Sequence, residues 1–231
     1  MASRSGILSS SVGTKIVIGI TGFALFIYLL IHIAGNLLIF FGPQVFNRYA
    51  YNMEVRNPTL PAIELALLLV FLIHIYKTVT MFVGNQSARP IRYARKKYAG
   101  RPSRKSLASS TMIASGLWLF LFVIVHVRAF RYGTEYEWPA GGRDLYRLEM
   151  ENFSNPFVVG FYIVSMIVVG SHLWHGVASA FQSLGVDHPR VTPKLLVAGK
   201  LLAVLIAAGF IVIAAWAYLT QASAGSGRVH A

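Results

Sequence analysis

Five histidines stand inside apolar stretches of this 231-residue chain: His32, His74, His126, His172 and His175. Ionisable groups are costly in hydrocarbon and usually serve a function there. Imidazole offers metal ligation, proton transfer or hydrogen-bonded packing. A lone histidine in a helix is more often packing, but at least one on each of four successive apolar segments is hard to explain that way. There is no cysteine, which excludes disulfides, zinc ribbons, an iron–sulfur cluster held by this chain and C-x-x-C-H haem attachment.

The segments that carry the histidines have a common length. Hydrocarbon about 30 Å thick needs roughly 20 helical residues. Five stretches qualify, at about Ile16–Phe41, Pro61–Val83, Ser109–Phe130, Phe157–Phe181 and Leu195–Leu219. The third has a short apolar core, Gly116 to Val127, and is expected to draw on Ser109, Ser110 and Thr111 for its length. The two-residue alternation of barrel strands is missing, so the spans are helices. The first span is too long for a cleaved signal peptide. The expectation is an all-α integral membrane protein over residues 1–221, followed by a mobile tail from Ala222 to Ala231. No internal repeat at a regular period and no second domain are evident.

Charge gives the orientation. The chain is 55% hydrophobic and 13% charged, with a formal net charge of +13, and most aromatics lie within the apolar runs. Nucleic-acid binding needs exposed aromatics beside the positive charge, so membrane topology is the better explanation. Arg89 to Lys105 holds eight basic residues and no acid, whereas the connection from Arg131 to Glu151 carries most of the acids. The basic connection therefore faces the cytoplasm. The N-terminus is then inside and the C-terminus outside. The basic segment either fixes topology among anionic headgroups or also docks a partner.

Counting from the cytoplasmic ends, His32 and His126 lie about 16 and 17 residues into their spans. His74 and His172 each lie about 9 residues above theirs. At 1.5 Å per residue the four form two levels, roughly 25 Å and 14 Å from the inner boundary. Each level has two imidazoles on different helices, as a flat macrocycle held from both faces requires. Two bis-histidine b haems in a four-helix bundle, with a fifth helix peripheral, are the natural reading. A mononuclear metal site would need its ligands at one level. A proton relay would be expected to include carboxylates, and only Glu64 sits inside a span.

Neighbouring residues fit both functional and structural roles. Gly35 and Gly176 share a face with His32 and His172, leaving room for a haem edge or for helix packing. Lys77, Arg128 and Arg131 are candidate propionate partners, or snorkel to headgroups. Glu64 lies roughly 15 Å outward of His74 and is either a quinone-site acid or an interfacial carboxylate. His175 shares a face with His172; depth favours His172 as the ligand, and a quinone-side role stays open for His175. On the inner side Lys77 and Thr78 are further candidates. Trp118, Trp138, Trp174 and Trp216 are expected to be interface anchors or bundle filler.

The fourth-span sequence His172-Leu-Trp-His-Gly-Val-Ala-Ser-Ala-Phe-Gln-Ser-Leu-Gly185 resembles that of the cytochrome b membrane subunit of succinate dehydrogenase and fumarate reductase, in its single-chain, five-helix, two-haem form. The resemblance covers about residues 10–220. A histidine followed by glycine four residues later, with Ser-x-Gly closing the helix, is matched by His172, Gly176, Ser183 and Gly185. It implies that His32 and His126 hold an outer haem, and His74 and His172 an inner one. It also implies flavoprotein and iron–sulfur partner subunits, menaquinone as substrate, a bacterial cytoplasmic membrane and a trimer of the whole complex. Electrons would run from the inner haem to the outer and on to quinone, in the direction of succinate oxidation or its reverse. A cytochrome b serving a hydrogenase or formate dehydrogenase, and a haem-free anchor or transporter, are the alternatives.

Overall fold

The computed structural model describes residues 10–88, 111–186 and 188–226. The basic segment from Arg89 to Lys105, Ser109, Ser110 and residues 227–231 lie outside the described residues. Seven α-helices account for nearly all of what is described: α1 Ser11–Asn36, α2 Pro43–Glu54, α3 Leu60–Ser87, α4 Met112–Phe130, α5 Leu145–Asn152, α6 Pro156–Ser183 and α7 Thr192–Ser226. A 3₁₀ segment, Leu37–Phe41, extends α1. No strand occurs among the described residues, only an isolated bridge between Glu137 and Arg143. Five helices, α1, α3, α4, α6 and α7, are long and apolar enough to cross a membrane.

Local chemistry sets the ends. Ser10 caps α1 by accepting from the Gly13 amide at 3.0 Å, and Asn155 caps α6 ahead of Pro156 in its first turn. Such side-chain acceptors satisfy amides that have no partner within the helix. Gly185, at φ +76°, closes α6. Its amide bonds to Gln182 and that of Val186 to Phe181, the left-handed terminator that glycine adopts without a Cβ clash. The Ser183-x-Gly185 pattern is thus a helix stop.

The structure adds detail to the sequence expectation at three places. The described part of the third span is Met112–Phe130 with Thr111 at its N-cap position, 19 residues and about 28 Å long, and Ser109 and Ser110 lie outside the described residues. The last helix runs past Ala222 to Ser226. The outward-expected connections are helical too: α2 and α5 are short, polar helices that pack on each other. Asn47 of α2 is wholly buried between them. It donates to Asp144 at 2.7 Å and accepts from the Tyr146 amide at 2.9 Å, while Asp144 caps α5 through the Arg147 amide.

The bundle is a ring in which α1 contacts α3, α3 contacts α4, α4 contacts α6 and α6 contacts α1. Outside that ring α7 lies against α6 and α1. Its seam with α6 is the most extensive in the molecule and rests on small residues. Ala203, Ala214 and Ala217 are buried. A Cβ on Gly170 would meet Ala207 at 3.0 Å, and one on Gly199 would collide with Val177. Close backbone approach of this kind drives helix association where lipid is as apolar as leucine. By contrast α3 has no buried residue.

Candidate paired-histidine site

Two odd-numbered spans, α1 and α4, carry the same local pattern. Thr21-Gly22 precedes His32 by the same spacing as Ser115-Gly116 precedes His126, eleven residues from hydroxyl to imidazole. Between them Leu25 and Phe26 align with Leu119 and Phe120, and Tyr28 aligns with Phe122. Eleven residues are close to three helical turns, so hydroxyl and histidine share one face about 16 Å apart. The similarity is confined to these few positions and gives no regular period along the chain.

The structure uses both copies alike. Tyr28 stacks on His32 at 5.4 Å between centroids, and Phe122 on His126 at 5.5 Å. His32 and His126 face each other across the bundle with centroids 5.9 Å apart and planes at 86°. The His126 Nδ1 lies 3.3 Å from the Tyr162 hydroxyl, and the His32 Nδ1 lies 3.4 Å from the Asn36 amide nitrogen. Phe210 of α7 packs on His32, and Phe130 on His126.

Near the other end, each hydroxyl of the repeat receives a histidine from an even-numbered span. His74 Nδ1 lies 3.1 Å from Thr21 Oγ1, and His172 Nδ1 lies 2.9 Å from Ser115 Oγ. The adjacent glycines give the imidazoles room. A Cβ on Gly22 would come within 3.0 Å of His74 Cε1, and one on Gly116 within 3.8 Å of His172 Cε1. His74 and His175 both lie close enough to His172 for electrostatic interaction.

The histidines therefore fall at two levels, His32 facing His126 at one and His74 within electrostatic reach of His172 at the other. Nδ1 of His74, His126 and His172 faces a hydroxyl, with the Ile18 carbonyl also within reach of His74, whereas the group at His32 Nδ1 is the Asn36 amide, which can only donate. Metal-bound histidines characteristically use one nitrogen for the metal and the other for an orienting partner. His32 and His126, 5.9 Å apart between centroids, are close enough to hold one metal ion between them. His74, His126 and His172 have Nδ1 partners able to accept an N–H, as a haem ligand's partner would, while His32 would have to turn from Asn36 to do the same. Three or more converging metal-ligating side chains do not occur among the described residues; a haem iron takes just two from the protein.

Other sequence-derived candidates are distributed around the pairs. His172, held by Ser115, is the positioned member of the His172–His175 couple; His175 sits one turn on. Glu64 is ion-paired with Arg131 at 3.2 Å, both side chains nearly half exposed, so the Arg131 Nε is committed to a carboxylate within the chain. Glu64 also lies within electrostatic reach of Tyr28, which stacks on His32. Arg128 donates to the Tyr132 carbonyl. Lys77 follows His74 by three residues, and Thr78 donates to the His74 carbonyl at 2.7 Å.

The two glycines differ. Gly176 has nothing within 4 Å of its missing Cβ, whereas the space at Gly35 belongs to Tyr49, whose hydroxyl a Cβ would meet at 2.5 Å. The haem-edge expectation for Gly35 is therefore replaced by tyrosine packing from α2. Of the tryptophans, Trp118 ties α4 to α6 by donating to the buried Ser165 at 3.0 Å. Trp174 lies beneath the Lys200 ammonium and Trp216 packs edge-on to Phe40.

Sequence reasoning missed two groups at the His126 end. Arg143 donates to the Phe130 carbonyl and pairs with Glu54, leaving its Nε as the one buried side-chain donor without an acceptor among the described residues. Glu149 of α5 is 6% exposed, and burial pushes its carboxyl up to about 8. Both sit in polar connections that look like ordinary solvated loops by composition. No family model, curated protein or solved structure matches this chain.

Proposed function

We propose that the chain is the haem-carrying, quinone-reactive membrane subunit of a bacterial succinate:menaquinone oxidoreductase. One observation carries this reading. Two pairs of imidazoles lie at separate levels of the bundle, His32 facing His126 and His74 within electrostatic reach of His172, and three of the four rings have a hydroxyl at Nδ1. Haem b bound at the two levels would supply one-electron carriers spaced across the bilayer. In this reading the His74/His172 pair is the inner one, and His32/His126 the outer.

The chain's own residues do the holding and orienting. Aromatic stacks from Tyr28 and Phe122 fix the outer imidazoles, and hydroxyls from Thr21 and Ser115 fix the inner. Arg128, Arg131, Arg143 and Lys77 are the cations placed near the two levels, and Arg131 and Arg143 would have to share their pairing with Glu64 and Glu54 to meet a propionate. Quinone reduction takes up protons, so its site needs an ionisable group near the outer pair. Glu64, beside Tyr28 and paired with Arg131, is that group. Flavin chemistry and iron–sulfur relay belong to partner subunits on the cytoplasmic side, where the chain's basic segment faces them.

The test is a reduced-minus-oxidised spectrum of the purified chain with a haem count. Two b-type equivalents are expected, with succinate-dependent reduction once the partner subunits are present. His32→Ala is expected to remove the outer haem alone, and His74→Ala the inner alone. A spectrum without b-type absorption overturns the reading, and haem that succinate leaves oxidised in the assembled complex points to another dehydrogenase partner.

A further inference from the structure

We propose that Thr21 and Ser115 are positioning residues that lock His74 and His172 in the Nδ1–H tautomer, and thereby set the ligand strength of that pair alone. This rests on the reading of the histidines as haem ligands.

The argument begins with where each hydroxyl hydrogen goes. Thr21 Oγ1 donates to the Val17 carbonyl at 2.7 Å, with the Ile18 carbonyl at 3.2 Å as second acceptor. Ser115 Oγ donates to the Met112 carbonyl at 3.0 Å. A hydroxyl has one hydrogen and two lone pairs. With the hydrogen committed to backbone, only a lone pair is left to face the histidine. Each contact at Nδ1 must then be an N–H donating to oxygen, which leaves the Nε2 lone pair bare. Neutral imidazole in that form is the metal-binding form, and accepting from its distal N–H raises its basicity.

Gly22 and Gly116 complete the device. A side chain at Gly22 would press on His74 Cε1 at 3.0 Å, whereas one at Gly116 would meet His172 at an ordinary 3.8 Å, so the missing Cβ eases the approach to the hydroxyl chiefly at Thr21. That hydroxyl–glycine couple occurs in both copies of the repeat, at the same distance from the helix's own histidine, and in both copies it meets a histidine from the following span. Chance packing would not be expected to place the same two residue types at the same register twice.

The His32/His126 pair has no such lock. Its Nδ1 contacts are longer, at 3.4 and 3.3 Å. Tyr162 can donate or accept. The Asn36 amide already donates to the His32 carbonyl at 2.8 Å. Effects of removing either hydroxyl therefore fall on one haem and spare the other.

Thr21→Val and Ser115→Ala, in the full chain assembled with its partners, are read by haem content, by optical redox titration and by the low-spin ferric electron paramagnetic resonance signal. Each is expected to weaken haem retention at the His74/His172 level roughly 10- to 100-fold, to raise the potential of that haem and to shift its resonance. The other haem stays unchanged. Thr21→Ser and Ser115→Thr, which keep the hydroxyl, restore wild-type values. If Thr21→Val fails to assemble, Ser115→Ala reads the equivalent hydroxyl. Wild-type haem indifferent to both substitutions, or a shift at the His32/His126 level, overturns this proposal and leaves the function reading intact. A wild-type chain that binds no haem overturns that reading and this proposal with it.

Discussion

Glu149 offers a perturbation whose size follows from its burial. The carboxyl sits in α5 between α2, α4 and α7, and the cause of its elevation from 4.5 to about 8 is desolvation. Each pKa unit corresponds to about 1.4 kcal/mol, so ionising it in the fold costs at most about 5 kcal/mol. The sign follows from proton binding. Between the two values the native state holds the proton more tightly than the unfolded chain does, so stability falls as pH rises. The full contribution is present below about pH 4.5, declines through the window and is gone above about pH 8. Glu149→Gln keeps the shape and removes the titration. Thermal unfolding in detergent from pH 4.5 to 9 is expected to give coincident transitions at the acid end, with the variant increasingly the more stable above it. The infrared carbonyl band of a protonated acid is expected at neutral pH in the wild type and absent from the variant. A wild-type-to-variant difference that is flat with pH, or that grows in the wild type's favour, refutes the reasoning.

Asn47→Leu leaves the Tyr146 amide and Asp144 without their buried partner; a loss of about 2–4 kcal/mol is expected in unfolding, and a loss below 0.5 kcal/mol would deny Asn47 its role in joining α2 to α5. Gly35→Ala drives a methyl into Tyr49 and is expected to cost about 1–3 kcal/mol. Gly176→Ala meets nothing within 4 Å and is expected to leave thermal stability of the haem-free chain unchanged while lowering haem content. Glu64→Gln is expected to abolish quinone reduction with both haems retained; normal turnover would remove Glu64 from the quinone chemistry.

The five spans were legible because they depend on regular helix rise and on long apolar runs. Thr21–His74 and Ser115–His172 contacts were not, because a serine or threonine in a membrane helix has no distinctive pattern until its partner helix is known. The repeat that would have revealed them is confined to one span of each half. α2 and α5 escaped notice for the opposite reason: they are short and polar, and their formation depends on tertiary contacts such as those of Asn47 rather than on amphipathic periodicity. Gly35 stands, by spacing alone, between a haem edge and helix packing, and Tyr49 decides for packing, because spacing gives the face of a helix and not what occupies the space in front of it. The fifth helix does lie outside the ring, as expected, yet its seam with α6 is the tightest packed in the molecule.

The absence of any buried residue on α3 has a mechanical meaning. Each of the other four spans buries side chains within the fold, while this one is held by a long seam of partly exposed side chains along α1 and a short one against α4. Its attachment is thus broad on one side and slight on the other. His74 reaches across the broad side to Thr21, so in the haem-carrying reading its ligation would fasten the span from within the bundle as well.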